Sequence, residues 1–463
     1  MSTAYRWARA VDLSPRVLRQ GSTLFSERPD SGEHGAYSDG IPVLAWQLVV
    51  EADAGDGSAR AVGFRAAAPF AGDGFPERPD PAARHPVTAA SIADWLERDA
   101  AWGAQVPGAA EGPIRSALRD GAVEREVWGG RGGLRFHAAR IRTGSGVRRV
   151  AVVTRAFSAA DAAAAAAAIC ALLCPDLARD QAVPTDSSVA GTHDTAPIAT
   201  FAVLAAGGEQ LAARGSQRVF YAASTIKLGL ALAVLRAVDH GALDLDEQVV
   251  SQHHFASAVA GAGSFGFTPD EIDAGFPPEG RQVSLAVCLA RMIEVSANEG
   301  TNMLAQRVGL AAVTAAFGAA GAPTARMTRL IGDYAARERG DTHEASASDL
   351  AATMREIIAG TLLSPDSAAR LQRHLRAQRF PVLADGFADV REWGSKSGWV
   401  TGLRHDVAWF TRNGEDTPTV IAVCTSGFET SAALETIRAL GAAAERGLPT
   451  AILAATNKGV HQQ

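Results

Sequence analysis

The stretch A-S-T-I-K-L-G, Ala223–Gly229, decides how this chain is interpreted, because it holds one of only three lysines among 463 residues, beside 41 arginines. The other two lysines are Lys396 and Lys458. Arginine replaces lysine on a solvated surface at little cost, but its guanidinium stays protonated, whereas a buried ammonium can lose its proton and act as a base. Lys227 and Lys396 are therefore candidates for chemistry that arginine cannot perform, while Lys458 belongs to the C-terminal tail.

The residues after this lysine predict a buried helix. From Ile226 to Leu235 the chain is rich in leucine and alanine and contains no proline, which predicts a helix that begins near Ser224. Residues three apart share a helix face, so the Lys227 amine is expected near the Ser224 hydroxyl. A serine at a helix N-terminus also meets unpaired N–H groups. These features predict an activated serine nucleophile, with a capping serine beside a chance lysine as the alternative.

Two later segments carry polar residues of the same kind. Ser296 and Asn298 follow an apolar helical run in R-M-I-E-V-S-A-N, and two of the four asparagines of the chain lie in this region. Lys396, Ser397 and Gly398 lie among aromatic and β-branched residues, which predicts a strand. A glycine in such a strand lets a ligand approach the backbone closely.

The ordered set S-x-x-K, S-A-N and K-S-G resembles the motifs of the penicillin-recognising serine hydrolases. This family includes class A β-lactamases, penicillin-binding D,D-peptidases and related esterases. The spacing is most similar to the class A branch, and the match covers about residues 196–444. The resemblance implies an α/β (α+β) fold of the β-lactamase/transpeptidase type, in which an antiparallel sheet flanked by helices adjoins an all-helical half.

The resemblance also implies a role for each matching residue. Ser224 would be the acylated nucleophile, and Lys227 would help to remove its proton. Ser296 would relay a proton to the leaving group, with Lys396 beside it. Asn298 would hydrogen-bond both Lys227 and a substrate amide. Ser397 and Lys396 would hold a substrate carboxylate, assisted by Arg404 on the next strand. The oxyanion hole would consist of the backbone N–H groups of Ser224 and Trp399, and Gly398 beside them would contact the substrate.

Two departures from the class A pattern affect turnover. Class A enzymes carry a glutamate in an E-x-x-L-N loop that activates the deacylating water, and no such motif lies between Asn298 and Lys396. The corresponding stretch, 329–344, offers the acidic residues Asp333, Glu338, Asp341 and Glu344 and the histidine His343. Ala297 replaces the aspartate of the serine motif. Acylation is therefore expected, and the identity of the group that would activate water for deacylation stays open.

The first half of the chain lacks these motifs but matches the second half in order. The three matches pair residues 85–94 with 343–352, 128–133 with 393–398, and 150–157 with 421–428. This alignment pairs Arg131 with Lys396. We hypothesise that residues 40–176 are a degenerate copy of the α/β half, without the helical half and without catalysis. An unrelated small α+β domain is the alternative, and a different strand order would favour it.

The composition of the chain indicates which classes of binding partner are expected. A net charge of -6 and 20% charged residues give no electrostatic footprint for nucleic acid or for an anionic membrane, despite an R-G-G at Arg131. No apolar run reaches the roughly 20 residues of a membrane span, and residues 1–20 lack the apolar core of a signal peptide, so a cytoplasmic protein is expected. The spacing of the four cysteines predicts neither a disulfide framework nor a metal site, and the apolar stretch around Cys170 and Cys174 predicts buried thiols there. We expect no cofactor and a small-molecule substrate.

These patterns predict three regions: an N-terminal α+β domain over 1–180, a linker over 181–196 and a serine hydrolase domain over 197–463. The leading prediction is hydrolysis of an ester, amide or β-lactam-type bond through an acylated Ser224. Two alternatives stay open. One is a sensor or binding protein that acylates without turnover, with the N-terminal domain as a scaffold or homo-oligomer interface. The other is a β-lactamase with an unconventional deacylating base.

Overall fold

The computed structural model describes residues 46–52, 112–131, 134–144, 146–155, 157–179 and 196–447. The strands in these ranges are β1 (Trp46–Ala52), β2 (Val123–Arg131), β3 (Leu134–Thr143), β4 (Gly146–Arg155), β5 (Ile198–Ala205), β6 (Gln210–Arg214), β7 (Val219–Tyr221), β8 (Gln248–Val250), β9 (His254–Ala256), β10 (Ser264–Gly266), β11 (Gln282–Ser284), β12 (Arg326–Met327), β13 (His343–Ser346), β14 (Val390–Val400), β15 (Leu403–Arg412) and β16 (Thr419–Ser426). The α-helices are α1 (Pro113–Ala117), α2 (Ala159–Leu173), α3 (Lys227–Asp239), α4 (Leu285–Glu294), α5 (Asn298–Val308), α6 (Leu310–Ala319), α7 (Tyr334–Glu338), α8 (Ala347–Ala359), α9 (Pro365–Arg376) and α10 (Thr430–Gly447). Short 3-10 helices cover Pro175–Leu177, Ala223–Ile226 and Ala384–Gly386.

A five-stranded antiparallel sheet, in the order β14-β15-β16-β5-β6, separates two hydrophobic cores. Alternate residues of a strand point to opposite faces. On β15, Ala408 and Phe410 therefore join the outer core with α10 and α2, whereas Val407 and Trp409 join the inner core with the helices of the all-helical half. The predicted α/β fold of the β-lactamase/transpeptidase type is confirmed.

Strand β14 forms one edge of this sheet, and the 3-10 turn Ala223–Ile226 lies against it. The turn follows β7 and leads directly into α3, which is buried along most of its length. The helix predicted from Ser224 onward thus consists of one 3-10 turn followed by the α-helix. This junction brings the S-x-x-K motif of the helical half against the K-S-G motif of the sheet.

Close packing of α3 against α6 depends on a glycine. A Cβ at Gly229 would lie 2.1 Å from Cε2 of Phe317, which is fully buried on α6. We expect Gly229→Ala to destabilise the protein by about 1–3 kcal/mol through overpacking, measured by urea denaturation. Gly318→Ala on α6 is the matched control, because a Cβ there has no atom within 4 Å, and it is expected to be neutral or stabilising. Equal effects of both changes would contradict the packing argument.

The N-terminal strands form a second antiparallel sheet in the order β1-β4-β3-β2. This order matches β5-β16-β15-β14 of the larger sheet, and each sheet is followed in the chain by a long helix, α2 or α10. The two helices pack against each other in the outer core. The strand order is the one expected of a partial copy, and duplication of the α/β half stays a hypothesis.

The pairing of Arg131 with Lys396 is wrong in register. The last residue pairs of the compared strands are Arg131 with Leu134 in one sheet and Val400 with Leu403 in the other. Counting back along the strands from these pairs, the counterpart of Lys396 is Val127. The sequence match aligned the two strands out of register, because it is short and glycines recur near this end of both strands. The pairing of neighbouring strands fixes the correct register. The copy still lacks an amine at this position.

Several sequence predictions fall on residues outside the described ranges. These include the 85–94 match, the linker over 181–196 except its last residue, and the tail with Lys458. Cys170 and Cys174 are buried, as predicted, and Cys288 and Cys424 are also free and buried. Over the described ranges, the structure has no helix that is both long and apolar enough to span a membrane, and no group of side chains that could hold a metal ion.

Candidate active site

Ser224 lies in the 3-10 turn Ala223–Ile226, at the start of the buried helix α3. The residue before it, Ala223, has φ of 47°, a left-handed conformation that costs energy for a residue with a Cβ. The Thr225 hydroxyl donates to the carbonyl of Ala222 at 2.5 Å and closes the turn. Strain of this kind persists only where the surroundings enforce it, and the turn is therefore rigidly held.

Two buried histidines hold the segment before Ser224. The amide of Ala222 donates to the carbonyl of His343 at 2.9 Å, and the ring of His343 stacks on Tyr221 at 5.7 Å between centroids. His405 on β15 lies 3.0 Å, through Nε2, from the carbonyl of Tyr221. Burial lowers the pKa of His343 to about 3 and also lowers that of His405. Both rings are thus neutral supports of the backbone.

Gly398 of β14 approaches the backbone of the nucleophile turn. A Cβ at this position would lie 2.7 Å from the amide nitrogens of Ser224 and Thr225, so only glycine fits. The close approach brings the strand that continues into Trp399 beside the amide of Ser224. Two backbone N–H groups at such a junction are the donors of an oxyanion hole. The structure thereby brings the first and third motifs together.

Lys227 is fully buried and binds the second motif. Its Nζ lies 2.7 Å from the carbonyl oxygen of Ser296, 2.8 Å from Oδ1 of Asn298 and 3.1 Å from Oγ of Ser296. Burial, reinforced by the positive charge of Lys396, lowers the pKa of Lys227 well below its usual value. A neutral amine can donate to the carbonyl and the amide oxygen and still keep its lone pair. Lys227 can therefore accept a proton.

Ser296 joins the two buried lysines. Its Oγ lies 3.1 Å from Nζ of Lys227 and 3.2 Å from Nζ of Lys396, which also donates to the carbonyl of Ser397 at 2.8 Å. Ser296 has φ of 66°, so the hydroxyl is held in place by a strained backbone. Burial lowers the pKa of Lys396 to about 7. The three groups form a continuous path for a proton.

Trp399 and Arg404 form a wall at the end of β14 and β15. The two residues are direct cross-strand partners, and the Arg404 guanidinium carbon lies 5.6 Å from the centre of the indole. Phe380 packs edge-on against the indole, with 5.6 Å between the ring centroids. A cation over an indole face is favourable and holds both side chains in place. The wall is thus partly aromatic and partly cationic.

The acidic side chains of the 329–344 stretch do not bind the serine or the lysine of the S-x-x-K motif within the described residues. Asp333 accepts hydrogen bonds from the Ser257 hydroxyl at 2.8 Å and the Ala258 amide at 2.9 Å. Glu344 forms an ion pair with Arg326 at 2.6 Å. Glu338 is exposed, and Asp341 is half-buried. Within residues 196–447, none of these side chains hydrogen-bonds Ser224 or Lys227.

The same stretch contacts the site through Ile331. Asn302 of α5 donates from Nδ2 to the carbonyl of Ile331 at 2.8 Å and accepts from its amide, at 2.9 Å, through Oδ1. Asn302 lies four residues after Asn298, so the two asparagines share a helix face. Asn298 binds Lys227 from that face. The backbone of Ile331 is therefore fixed against the helix that carries Asn298, and its side chain packs against the inner core.

Comparison with known proteins identifies the family. The model of the beta-lactamase enzyme family matches residues 193–447, which is more than half of the chain. The chain belongs to the beta-lactamase enzyme family. No significant match was found among the curated proteins.

Solved structures similar to this member of the beta-lactamase enzyme family cover a little more than half of its chain. A beta-lactamase from Sphaerobacter thermophilus DSM 20745 is 25% identical, with a TM-score of 0.46, over 55% of this chain and 92% of its own. PBP-A is 24% identical, with a TM-score of 0.45, over 57% of this chain and 91% of its own. A beta lactamase from Xanthomonas campestris pv. campestris str. ATCC 33913 is 23% identical, with a TM-score of 0.46, over 55% of this chain and 92% of its own.

Sequence reasoning about this family member missed four residues around the site. They are His405, Asp406, Asn302 and Ile331. Asn302 was detectable as the second of two scarce asparagines in one segment. The others have no local signal, because their importance depends on contacts between residues far apart in the chain: His405 with the nucleophile turn, Asp406 with the K-S-G strand and Ile331 with α5.

Proposed function

We propose that this protein is a serine hydrolase that forms an acyl-enzyme on Ser224 from an ester, amide or β-lactam-type bond of a small substrate bearing a carboxylate. The observation that carries the proposal is the hydrogen-bonded path from Lys227 through Ser296 to Lys396 beside the Ser224 turn. A lysine that can lose its proton next to a serine at a helix N-terminus is an activating base.

In the acylation step, each proton transfer has a donor and an acceptor among these residues. Ser224 Oγ attacks the carbonyl carbon as its proton passes to Lys227, and the oxyanion accepts hydrogen bonds from the amides of Ser224 and Trp399. When the carbon–heteroatom bond breaks, Ser296 donates its proton to the leaving group and regains one from Lys396 or Lys227. Membership of the beta-lactamase enzyme family supports these roles.

The substrate carboxylate is assigned to the end of strands β14 and β15. Lys396 and Ser397 of the K-S-G motif and the guanidinium of Arg404 supply positive charge and a hydroxyl donor there, and Asn298 is positioned for a substrate amide. Guanidinium and ammonium groups are strong donors to carboxylates. A substrate without this charge is expected to bind more weakly.

A second candidate function is a penicillin-binding sensor that acylates without turnover. The partners of the nearby carboxylates favour it, because Asp333 binds Ser257 and Ala258, Glu344 pairs with Arg326, and neither hydrogen-bonds Ser224 or Lys227 within residues 196–447. A true β-lactamase would instead need an unconventional base. The lifetime of the acyl-enzyme distinguishes the candidates: a hydrolase releases the product, and a sensor retains it.

Intact-protein mass spectrometry tests the proposal. After mixing with benzylpenicillin, we expect the protein to gain the whole mass of the penicillin, because opening of the β-lactam ring loses no atoms. With p-nitrophenyl acetate, we expect an acetyl group on Ser224 and release of nitrophenol. Ser224→Ala is expected to abolish both adducts. Hydrolysis that survives Ser224→Ala would contradict the mechanism.

A further inference from the structure

Three buried polar atoms on one face of the paired strands β14 and β15 have no hydrogen-bond partner among the described residues. They are Oγ of Ser395, Oγ of Ser397 and Oδ1 of Asp406. Ser397 and Asp406 are direct cross-strand partners on β14 and β15, and Ser395 lies two residues along on the same face. Buried polar groups are nearly always paired, so an unpaired set beside a substrate-binding motif calls for a physical explanation.

The Asp406 carboxyl group is held in one orientation. Its Oδ2 accepts the amide hydrogens of Val382 at 2.7 Å and Leu383 at 2.8 Å, and the side chain is fully buried. Only Oδ1 is left to interact with the strand opposite. Cross-strand partners have Cβ atoms about 4.5–5.5 Å apart, so a rotation about Cα–Cβ of Ser397 brings its hydroxyl within reach of Oδ1.

We propose that Asp406 is a positioning residue for the substrate carboxylate: as a protonated acid, it donates from Oδ1 to Ser397 Oγ and leaves the Ser397 proton for the ligand. The inference rests on the proposed function, which assigns a substrate carboxylate to Ser397. A serine hydroxyl has a single proton. If Asp406 is ionised, that proton goes to Asp406, and the carboxylate of the ligand meets the lone pairs of Ser397.

The surroundings of Asp406 favour the protonated acid. Burial raises its pKa to about 7, against the opposing effects of the two amide hydrogen bonds and the positive charge of Lys396. The charged groups on the elements packed around it are Lys396 of β14, Arg404 of β15, Asp385 of the 3-10 helix Ala384–Gly386, and Arg438 and Glu435 of α10. Arg438 is paired with Asp385 and Glu435.

A change of pH should therefore alter ligand binding. Below pH 7 Asp406 holds its proton, and Ser397 can donate to the carboxylate of the ligand. Above pH 7 Asp406 is ionised, so Ser397 no longer donates to the ligand and the negative charge of Asp406 repels its carboxylate. Both effects weaken binding. Lys396, whose pKa is also about 7, loses positive charge over the same range. Asp406 itself raises the pKa of Lys396, so Asp406→Asn also shifts the titration of this lysine. The contribution of Asp406 through Ser397 is therefore the part of the difference between variants that Ser397→Ala removes.

Calorimetric titration of benzylpenicillin into Ser224→Ala measures binding without acylation. For each variant we take the ratio of the dissociation constant at pH 8 to that at pH 6. We expect this ratio to be about tenfold larger in Ser224→Ala than in Ser224→Ala/Asp406→Asn. The reason is that one group with a pKa near 7 is about nine-tenths ionised at pH 8. Asparagine still accepts from Val382 and Leu383 and donates to Ser397 at every pH. Adding Ser397→Ala to each variant is expected to remove most of this difference.

Equal ratios with aspartate and asparagine at position 406 would overturn the inference and leave the proposed function standing. If benzylpenicillin fails to bind Ser224→Ala at either pH, both the carboxylate assignment and this inference fail. Titration at pH 8 in two buffers of different ionisation enthalpy gives a second readout that needs no change at Asp406. Ser224→Ala should take up a larger fraction of a proton on binding than Ser224→Ala/Ser397→Ala, and equal uptake would overturn the inference.

Discussion

Lys227→Arg is expected to lower the rate at which benzylpenicillin acylates Ser224 by about 10²- to 10⁴-fold, the usual contribution of a general base. Arginine can still donate to the carbonyl of Ser296 and to Asn298, but it carries a permanent positive charge and cannot lose a proton in a protein. The change therefore removes the ability to accept the Ser224 proton, which is the property attributed to this lysine by its scarcity in the chain and by its burial.

The pH dependence of acylation follows from the same lysine. Burial and the charge of Lys396 lower the pKa of Lys227 well below its usual value, so more of the amine is free near neutral pH than in an exposed lysine, and the free fraction falls with pH. The acylation rate of the wild-type protein should therefore decline toward acidic pH. In Lys227→Arg this ionisation is absent, so its contribution to the pH profile should disappear. Time-resolved intact-protein mass spectrometry across pH values measures both effects.

Two variants serve as controls for this prediction. Lys227→Met removes the base without adding charge and should be impaired at least as strongly. Lys396→Arg keeps a cation beside Ser296 and the carbonyl of Ser397, so it should lose at least tenfold less activity than Lys227→Arg. Melting temperatures show whether each variant is folded. A folded Lys227→Arg protein that acylates at the wild-type rate would exclude Lys227 as the base.

The main site residues could be predicted because their motifs are local. Ser224 and Lys227 are three residues apart, Ser296 and Asn298 are two apart, and helix and strand periodicity predicts how each short motif is presented. Their order in the chain was enough to indicate one family and thereby the sheet and the helical half. The scarcity of lysine added an independent signal, since arginine bias removed the lysines that have no special role.

Contacts between distant segments could not be predicted in this way. The pairing of Asp406 with Ser397 depends on hairpin register, and register also decided against the match of Arg131 with Lys396. A shift of one residue moves every side chain to the other face of a strand, so short sequence matches do not fix it. The contact between Asn302 and Ile331 links segments 29 residues apart and has no sequence pattern of its own.

Ile331→Glu is expected to shorten the lifetime of the benzylpenicillin adduct on Ser224 by about 10²- to 10⁴-fold, the range for general-base activation of water. Asn302 fixes the backbone of Ile331 through both its amide and its carbonyl group, on the helix face that also carries Asn298. A glutamate at this position would place a carboxylate beside the polar centre of the site. Acylation itself should change little, because Lys227 and Ser296 are untouched.

Ile331→Gln is the matched control for this gain of turnover. Glutamine has the size and hydrogen-bonding reach of glutamate but cannot accept a proton near neutral pH, so its adduct should persist as long as that of the wild type. The decay of the adduct is followed by intact-protein mass spectrometry after removal of free penicillin. If glutamate and glutamine shorten the lifetime equally, added polarity or space for water is the cause. If wild-type protein already releases the acyl group within seconds, another base performs deacylation, and the sensor alternative is excluded.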